Sequence, residues 1–264
     1  MYDDSFKGTE MSTQATQPKA PRKKFNAVAA VVLTILIYIG AQIVAAVGVA
    51  LYPELRRWSR DISLDWLQNS IYAKFFSVVV WGVATVWMVN ICRRFYGITL
   101  KELGLVRPKW FDMLYSLAGF GVYFLLLAVA IFGAEKLIGI DTHQAQQLGF
   151  SSSVSGYALV LTCISLVFIP PIVEEILCRG FLLRGLMNSM RIRWAAVITS
   201  MLFAVAHLQF GSGEPLLWAA AIDTFVLSLV LVYLRIKTGS LWPAIGLHAI
   251  KNSLAFVAIF VLKG

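Results

Sequence analysis

The chain has 264 residues, of which 59% are hydrophobic and only 14% charged, with a mean hydropathy of +0.75. A soluble domain carries about 25% charge, so this balance excludes an ordinary soluble enzyme. The formal net charge of +9 is first a topology signal, because no basic stripe interleaved with aromatics points to nucleic acid. Several apolar runs exceed the roughly 18 residues that mark a membrane span. The expected fold class is all-α: a polytopic transmembrane helical bundle of seven to eight membrane segments. Cys92, Cys163 and Cys178 lie in or beside apolar runs, and an odd number of cysteines implies no disulfide framework.

Residues 1–26 are polar and carry the basic cluster Lys19, Arg22, Lys23 and Lys24, so they read as a disordered cytoplasmic tail. Met11 is an alternative start. The run from Ala27 to Leu51 is longer than the roughly 7 to 15 residues of a signal-peptide core, so it reads as a retained first span opening a membrane domain over 27–264. Residues 52–70, with Trp58 and Trp66 among mixed charges, suit an interfacial segment. A second span runs from Ile71 to Cys92. It is followed by a basic loop with a short helix from Thr99 to Leu103, ended by Gly104. Met113 to Ile138 is a third span. The polar loop over 139–156 holds His143, which reads as solvated. Tyr157 to Met187 is long enough to span, with Pro170 and Pro171 predicted to break it. Trp194 to Leu208 is short, about 22 Å at 1.5 Å per residue. Leu216 to Leu234 is another span, and Ser240 with Pro243 opens a last helix running to Leu262.

Basic residues set the orientation. With the N-terminus inside, 15 lysines and arginines fall in inner segments and 5 in outer ones. That asymmetry predicts a cytoplasmic N-terminus, and the expected location is a bacterial plasma membrane.

The chemistry concentrates between Ile169 and Gly185. Glu174, Glu175 and Arg179 stand in an apolar segment, where each charge costs at least about 2.5 kcal/mol. Pro171 is suited to begin a new helix, which would put both glutamates near a first turn whose N–H groups favour negative charge. Glu175 and Arg179 are four apart, the spacing of an ion pair, which leaves Glu174 to meet something else. His207 and His248 also lie in apolar segments. Glu174 is 14 residues before Asn188 and His207 is 14 after Arg193, so both lie roughly 20 Å from the same face on neighbouring antiparallel helices. His248 and Asn252, four apart, share a face of the last helix.

Four polar groups are thus expected to converge. A carboxylate and an imidazole sharing one water make a nucleophile, and a second imidazole with an amide supplies donors to an oxyanion. The same Glu174, His207 and His248 are also a ligand set for zinc with an open water position, although the helical His-Glu-x-x-His spacing is absent. Phe203, one turn before His207, is expected to pack against its imidazole. Lys251 beside Asn252 is costly at this depth. Asp223 is its candidate partner, and a pairing with Glu174 instead would weaken the role of Glu174 as a base.

Three motifs in order, Glu174-Glu175-x-x-x-Arg179, Phe203-x-x-x-His207 and His248-x-x-x-Asn252, resemble the CAAX-protease and bacteriocin-processing (CPBP, or Abi) family of intramembrane endopeptidases. The stretches Thr238–Pro243 and Leu100–Leu105 are similar to it as well, and the likeness runs over about 70–262. The resemblance implies water activation by Glu174 and His207, an oxyanion site from His248 and Asn252, and support from Glu175 and Arg179. Both a metal-free glutamate mechanism and a zinc mechanism are argued for the family. The implied partners are a membrane-associated peptide or protein and the lipid bilayer, with no nucleic acid. A non-catalytic immunity or scaffold protein of the same fold, and a transporter using Glu174, Asp223 and Lys251, are the competing readings.

Overall fold

A computed structural model describes residues 25–141, 149–151, 153–208 and 216–262. Residues 1–24 of the expected tail, with Met11 and the basic cluster, and His143 lie outside these residues, whereas Phe25 and Asn26 do not belong to a disordered tail: Phe25 is buried against Phe181 and Asn26 caps α1. The described chain is helical, with no strand: α1 (Ala27–Leu55), α2 (Arg60–Asn69), α3 (Ile71–Phe95), α4 (Leu100–Leu103), α5 (Trp110–Leu137), α6 (Gly156–Met187), α7 (Ile192–Val205), α8 (Trp218–Thr238) and α9 (Trp242–Val261). Six of these are long and apolar enough to cross a membrane, and α7 is a shorter apolar helix. The protein is a multi-pass helical membrane bundle. Long apolar side chains such as Leu36, Leu125 and Val129 stay exposed because lipid is their solvent. The segment between the first two spans forms α2, a 10-residue helix with no buried residue, as suits an interface.

Helix α6 is the central element. On one side it meets α1 and α3, and on the other α9; α5 packs on α8 and α9, and α7 on α8. Small residues set the closeness of α1 to α6. A Cβ on Gly185 would collide with the Ala30 Cβ and lie 2.8 Å from the Phe25 ring, the close approach that small residues permit between membrane helices. The C-terminal half of α6 supplies the fully buried Phe181, Leu182, Leu183 and Leu186 to the largest core cluster.

Pro170 and Pro171 do not break α6, contrary to expectation. The helix runs through them, with wide π-type turns over Ile164–Phe168 before them and Ile176–Leu182 after them. A proline ring clashes with the carbonyl four residues back in a regular helix, and widening the preceding turn relieves that clash. Glu174 and Glu175 therefore lie in mid-helix and not at a free N-terminus.

The loop after α3 ties one set of helix ends together. Thr99 and Glu102 form a reciprocal cap on α4, and Gly104 closes it at φ 86. Glu102 meets Arg184 of α6 at 3.0 Å, its carbonyl accepts from Arg235 of α8 at 2.9 Å, and Gly104 O accepts from Leu241 N at 2.9 Å. Trp242 Nε1 donates to Val106 O at 2.7 Å. At the start of α9, Ser240 Oγ accepts from Trp242 N, close to the predicted cap.

Candidate active site

Glu175 is fully buried and its ion pair with Arg179 forms as the spacing predicts, with Arg179 Nη1 donating to Oε1 at 2.9 Å. The same Oε1 lies 3.1 Å from His248 Nδ1. A carboxylate held by a guanidinium only accepts, so His248 donates through Nδ1. Its other nitrogen, Nε2, faces Glu174 Oε2 at 3.9 Å. His248 thus stands between two adjacent carboxylates: one fixes the ring, and the other is half-buried and open to a cavity.

His207 lies just past the end of α7, in the turn after Val205, not on a helix reaching Leu208 as expected. The reason is a swap of donors. The Phe203 carbonyl takes a hydrogen bond from the His207 side chain, with Nδ1 at 2.7 Å, while the His207 backbone N–H turns to Ala204 O at 3.0 Å. A side-chain donor replacing the backbone one ends the helix. A carbonyl can only accept, so Nδ1 carries the proton and Nε2 keeps a lone pair.

Phe203 packs among these groups. Its ring centroid is 4.6 Å from that of His207 and 6.0 Å, edge-on, from that of His248. The Arg179 guanidinium sits 4.3 Å over its face, a cation–π contact that is worth most when desolvated.

Asn252 reaches α6 rather than the cavity. Its Nδ2 donates to Leu166 O at 2.9 Å. That carbonyl is orphaned by sequence: its regular helical donor would be the N–H of residue 170 and its π-turn donor that of residue 171, and both are prolines. Asn252 fills the vacancy and fixes α9 against the widened turn of α6. One N–H of its amide remains beyond that bond.

Glu174 and His207 line one cavity of about 900 Å³, walled by α1, α3, α6 and α7. This is at the upper end of sizes for small-ligand sites. Its α1 wall, with Tyr38 and Gln42, and its α3 wall, with Ser77 and Trp81, were not anticipated. The signal was present as polar residues four apart in a span taken for a plain anchor. A second groove of about 600 Å³ between α3 and α6 contains none of the motif residues.

Lys251 turns away from this site. It pairs with Asp223 at 2.9 Å, and Asp223 also accepts from the Tyr123 hydroxyl. The alternative partner Glu174 is not used. Among the described residues, no three His, Cys, Asp or Glu side chains gather closely enough to hold a metal ion. Glu174, His207 and His248 do not form a three-donor set in this arrangement.

Comparison with known proteins agrees with this constellation. The pattern of the type II CAAX prenyl endopeptidase Rce1-like family matches residues 156–254, a shorter stretch than the expected 70–262. Over 149 residues the chain is 30% identical to the uncharacterized protein YyaK of Bacillus subtilis (strain 168); that stretch is 55% of this chain and 47% of YyaK, so the chain spans about half the length of this relative. No solved structure matches the chain. The matched segment encloses Glu174, His207, His248 and Asn252, so over these residues the chain is similar to the Rce1-like family of type II CAAX prenyl endopeptidases.

Proposed function

We propose that the protein is an intramembrane endopeptidase that hydrolyses a peptide bond in a membrane-associated protein or peptide, using water activated by Glu174 and His207. The observation that carries this reading is their shared cavity, with His248 Nε2 3.9 Å behind the Glu174 carboxylate. His207 is held in the tautomer whose Nε2 accepts a proton, and Glu174 is the second acceptor. Their water attacks the carbonyl carbon, and its proton passes to the acceptor pair and then to the leaving amine. His248, with Glu175 behind Nδ1, is suited to carry positive charge and to donate from Nε2 to the developing oxyanion. Asn252, whose Nδ2 is bonded to Leu166 O, holds α9 and with it His248 against α6. Glu175, Arg179 and Phe203 hold this pair of imidazoles in place. The mechanism is drawn without a metal.

The CAAX prenyl substrate class comes from the family match alone. The transporter reading loses its relay, because Asp223 and Lys251 pair with each other and neither lines the cavity.

The test uses the purified full chain in proteoliposomes, with a farnesylated CAAX peptide and a library of membrane-anchored peptides, read by mass spectrometry. The wild type is expected to yield defined products. Glu174→Gln is expected to lose at least about 100-fold in rate, as removal of a general base does, with an unchanged melting temperature. No product from any peptide would make the chain a scaffold of this fold. Activity is expected to survive exhaustive chelation; loss that zinc restores would make Glu174, His207 and His248 metal ligands.

A further inference from the structure

Helix α1 lies outside the matched segment, yet it forms one wall of the cavity. Within this strongly apolar span, Thr34, Tyr38 and Gln42 follow each other at intervals of four residues, and all three line the cavity that contains Glu174 and His207. The Thr34 hydroxyl is buried with no partner among the described residues. Ala45 and Ala46 continue the wall. A lipid chain asks for no polar ladder; a peptide main chain does. Inside a bilayer each unpaired N–H or C=O costs several kcal/mol, and a bond to be hydrolysed must lie in extended backbone, stripped of helical hydrogen bonds.

The spacing suits that need. Four residues of helix rise about 6 Å, and the same-side groups of an extended chain repeat every two residues, about 6.6 Å. From Thr34 to Gln42 the ladder spans about 12 Å, close to four residues of extended peptide. The side-chain amide of Gln42 both donates and accepts, as do the two hydroxyls. We propose that the Thr34, Tyr38 and Gln42 face of α1 is a main-chain subsite, which holds about four residues of an extended peptide alongside Glu174 and His207. It would read backbone rather than side chains, so substrates are selected by their readiness to unwind next to α1.

The inference rests on the peptidase reading, and the test separates the two. A photo-crosslinking benzophenone residue is placed at position 38 or 42 of the full-length Glu174→Gln variant, and at the lipid-facing positions 36 and 43 as controls. The probe is the same peptide library, biotinylated. Biotin is expected to attach at 38 and 42 and not at 36 and 43. Equal or absent labelling at all four positions overturns the subsite, even where the wild type cleaves. Labelling confined to 38 and 42 without cleavage by the wild type keeps the subsite and removes the peptidase reading. For a cleaved peptide, Gln42→Leu, which suits a membrane helix, is expected to raise KM about tenfold with kcat little changed, as loss of uniform binding does. A fall in kcat with unchanged KM would count against a subsite role.

Discussion

At the scale of single residues, the site is organised by who accepts from whom. Glu175 Oε1 takes both Arg179 and His248, so one carboxylate neutralises a buried guanidinium and fixes a histidine tautomer. Glu175→Gln would leave Arg179 buried and unpaired, and such a break costs about 3–5 kcal/mol. The double variant Glu175→Gln with Arg179→Met is expected to recover most of that loss, because both charges leave together. Thermal melts of the four proteins in detergent form the cycle. An additive double variant would mean that the two side chains do not act as a pair. The Glu175 to Arg179 bond was legible in the sequence because four residues of helix bring the two together. Its second partner was not, because His248 lies 73 residues away and depends on how α9 docks. Phe203 was read as a packing residue for His207. Its contacts with His248 and Arg179 belong to the assembled bundle.

At the scale of elements, two segments place the site: the widened turn of α6 and the strap through α4. The two prolines were visible in the sequence, but their outcome was not. Whether a proline pair breaks a helix or is absorbed depends on a donor for the orphaned carbonyl, and Asn252 lies 86 residues from Leu166. Asn252→Ala is expected to cost about 1–3 kcal/mol by leaving Leu166 O unsatisfied. In a Pro170→Ala background the helix regains an N–H for that carbonyl, so the same substitution should cost distinctly less. Equal costs in both backgrounds, measured by thermal melts, would show that Asn252 does not serve α6. The strap adds a pH argument. The Thr99 backbone N–H, followed by Arg184, holds the Glu102 carboxyl down at about 2 against an ordinary 4.5. A depressed carboxylate contributes stability above its unfolded value, and loses it as pH falls through its folded one. The stability gap between wild type and Glu102→Gln should therefore stay constant from about pH 8 to pH 5. It should close only as the pH drops from 4.5 toward 2. A gap that closes near pH 6 would point to a histidine instead.

At the scale of the whole molecule, one feature of sequence and one of structure must agree on which way the bundle faces. The spans were readable from hydropathy because membrane helices need long apolar runs. Even the short α7 was visible, although its end slipped by a few residues where His207 caps it. The charged strap joins one set of ends of α6, α8 and α9, on the side that holds 10 of the 17 lysines and arginines among the described residues. The opposite side holds α2, with Tyr52, Trp58 and Trp66 packed ring to ring as an interfacial anchor does. If the strap is cytoplasmic, α2 lies on the outer surface and the wall of α1 near Tyr38 lies between them. Cysteines introduced at the exposed Gln68 of α2 and Lys101 of the strap test this in intact cells with a membrane-impermeant maleimide. The native cysteines all lie within the helices α3 and α6, so they add little background. Gln68→Cys is expected to label directly, and Lys101→Cys only after permeabilisation. The reverse pattern would place the strap outside. Because α6, α8 and α9 are fixed to the strap, and α7 packs on α8, it would also turn the cavity of Glu174 and His207 away from cytoplasmic substrates.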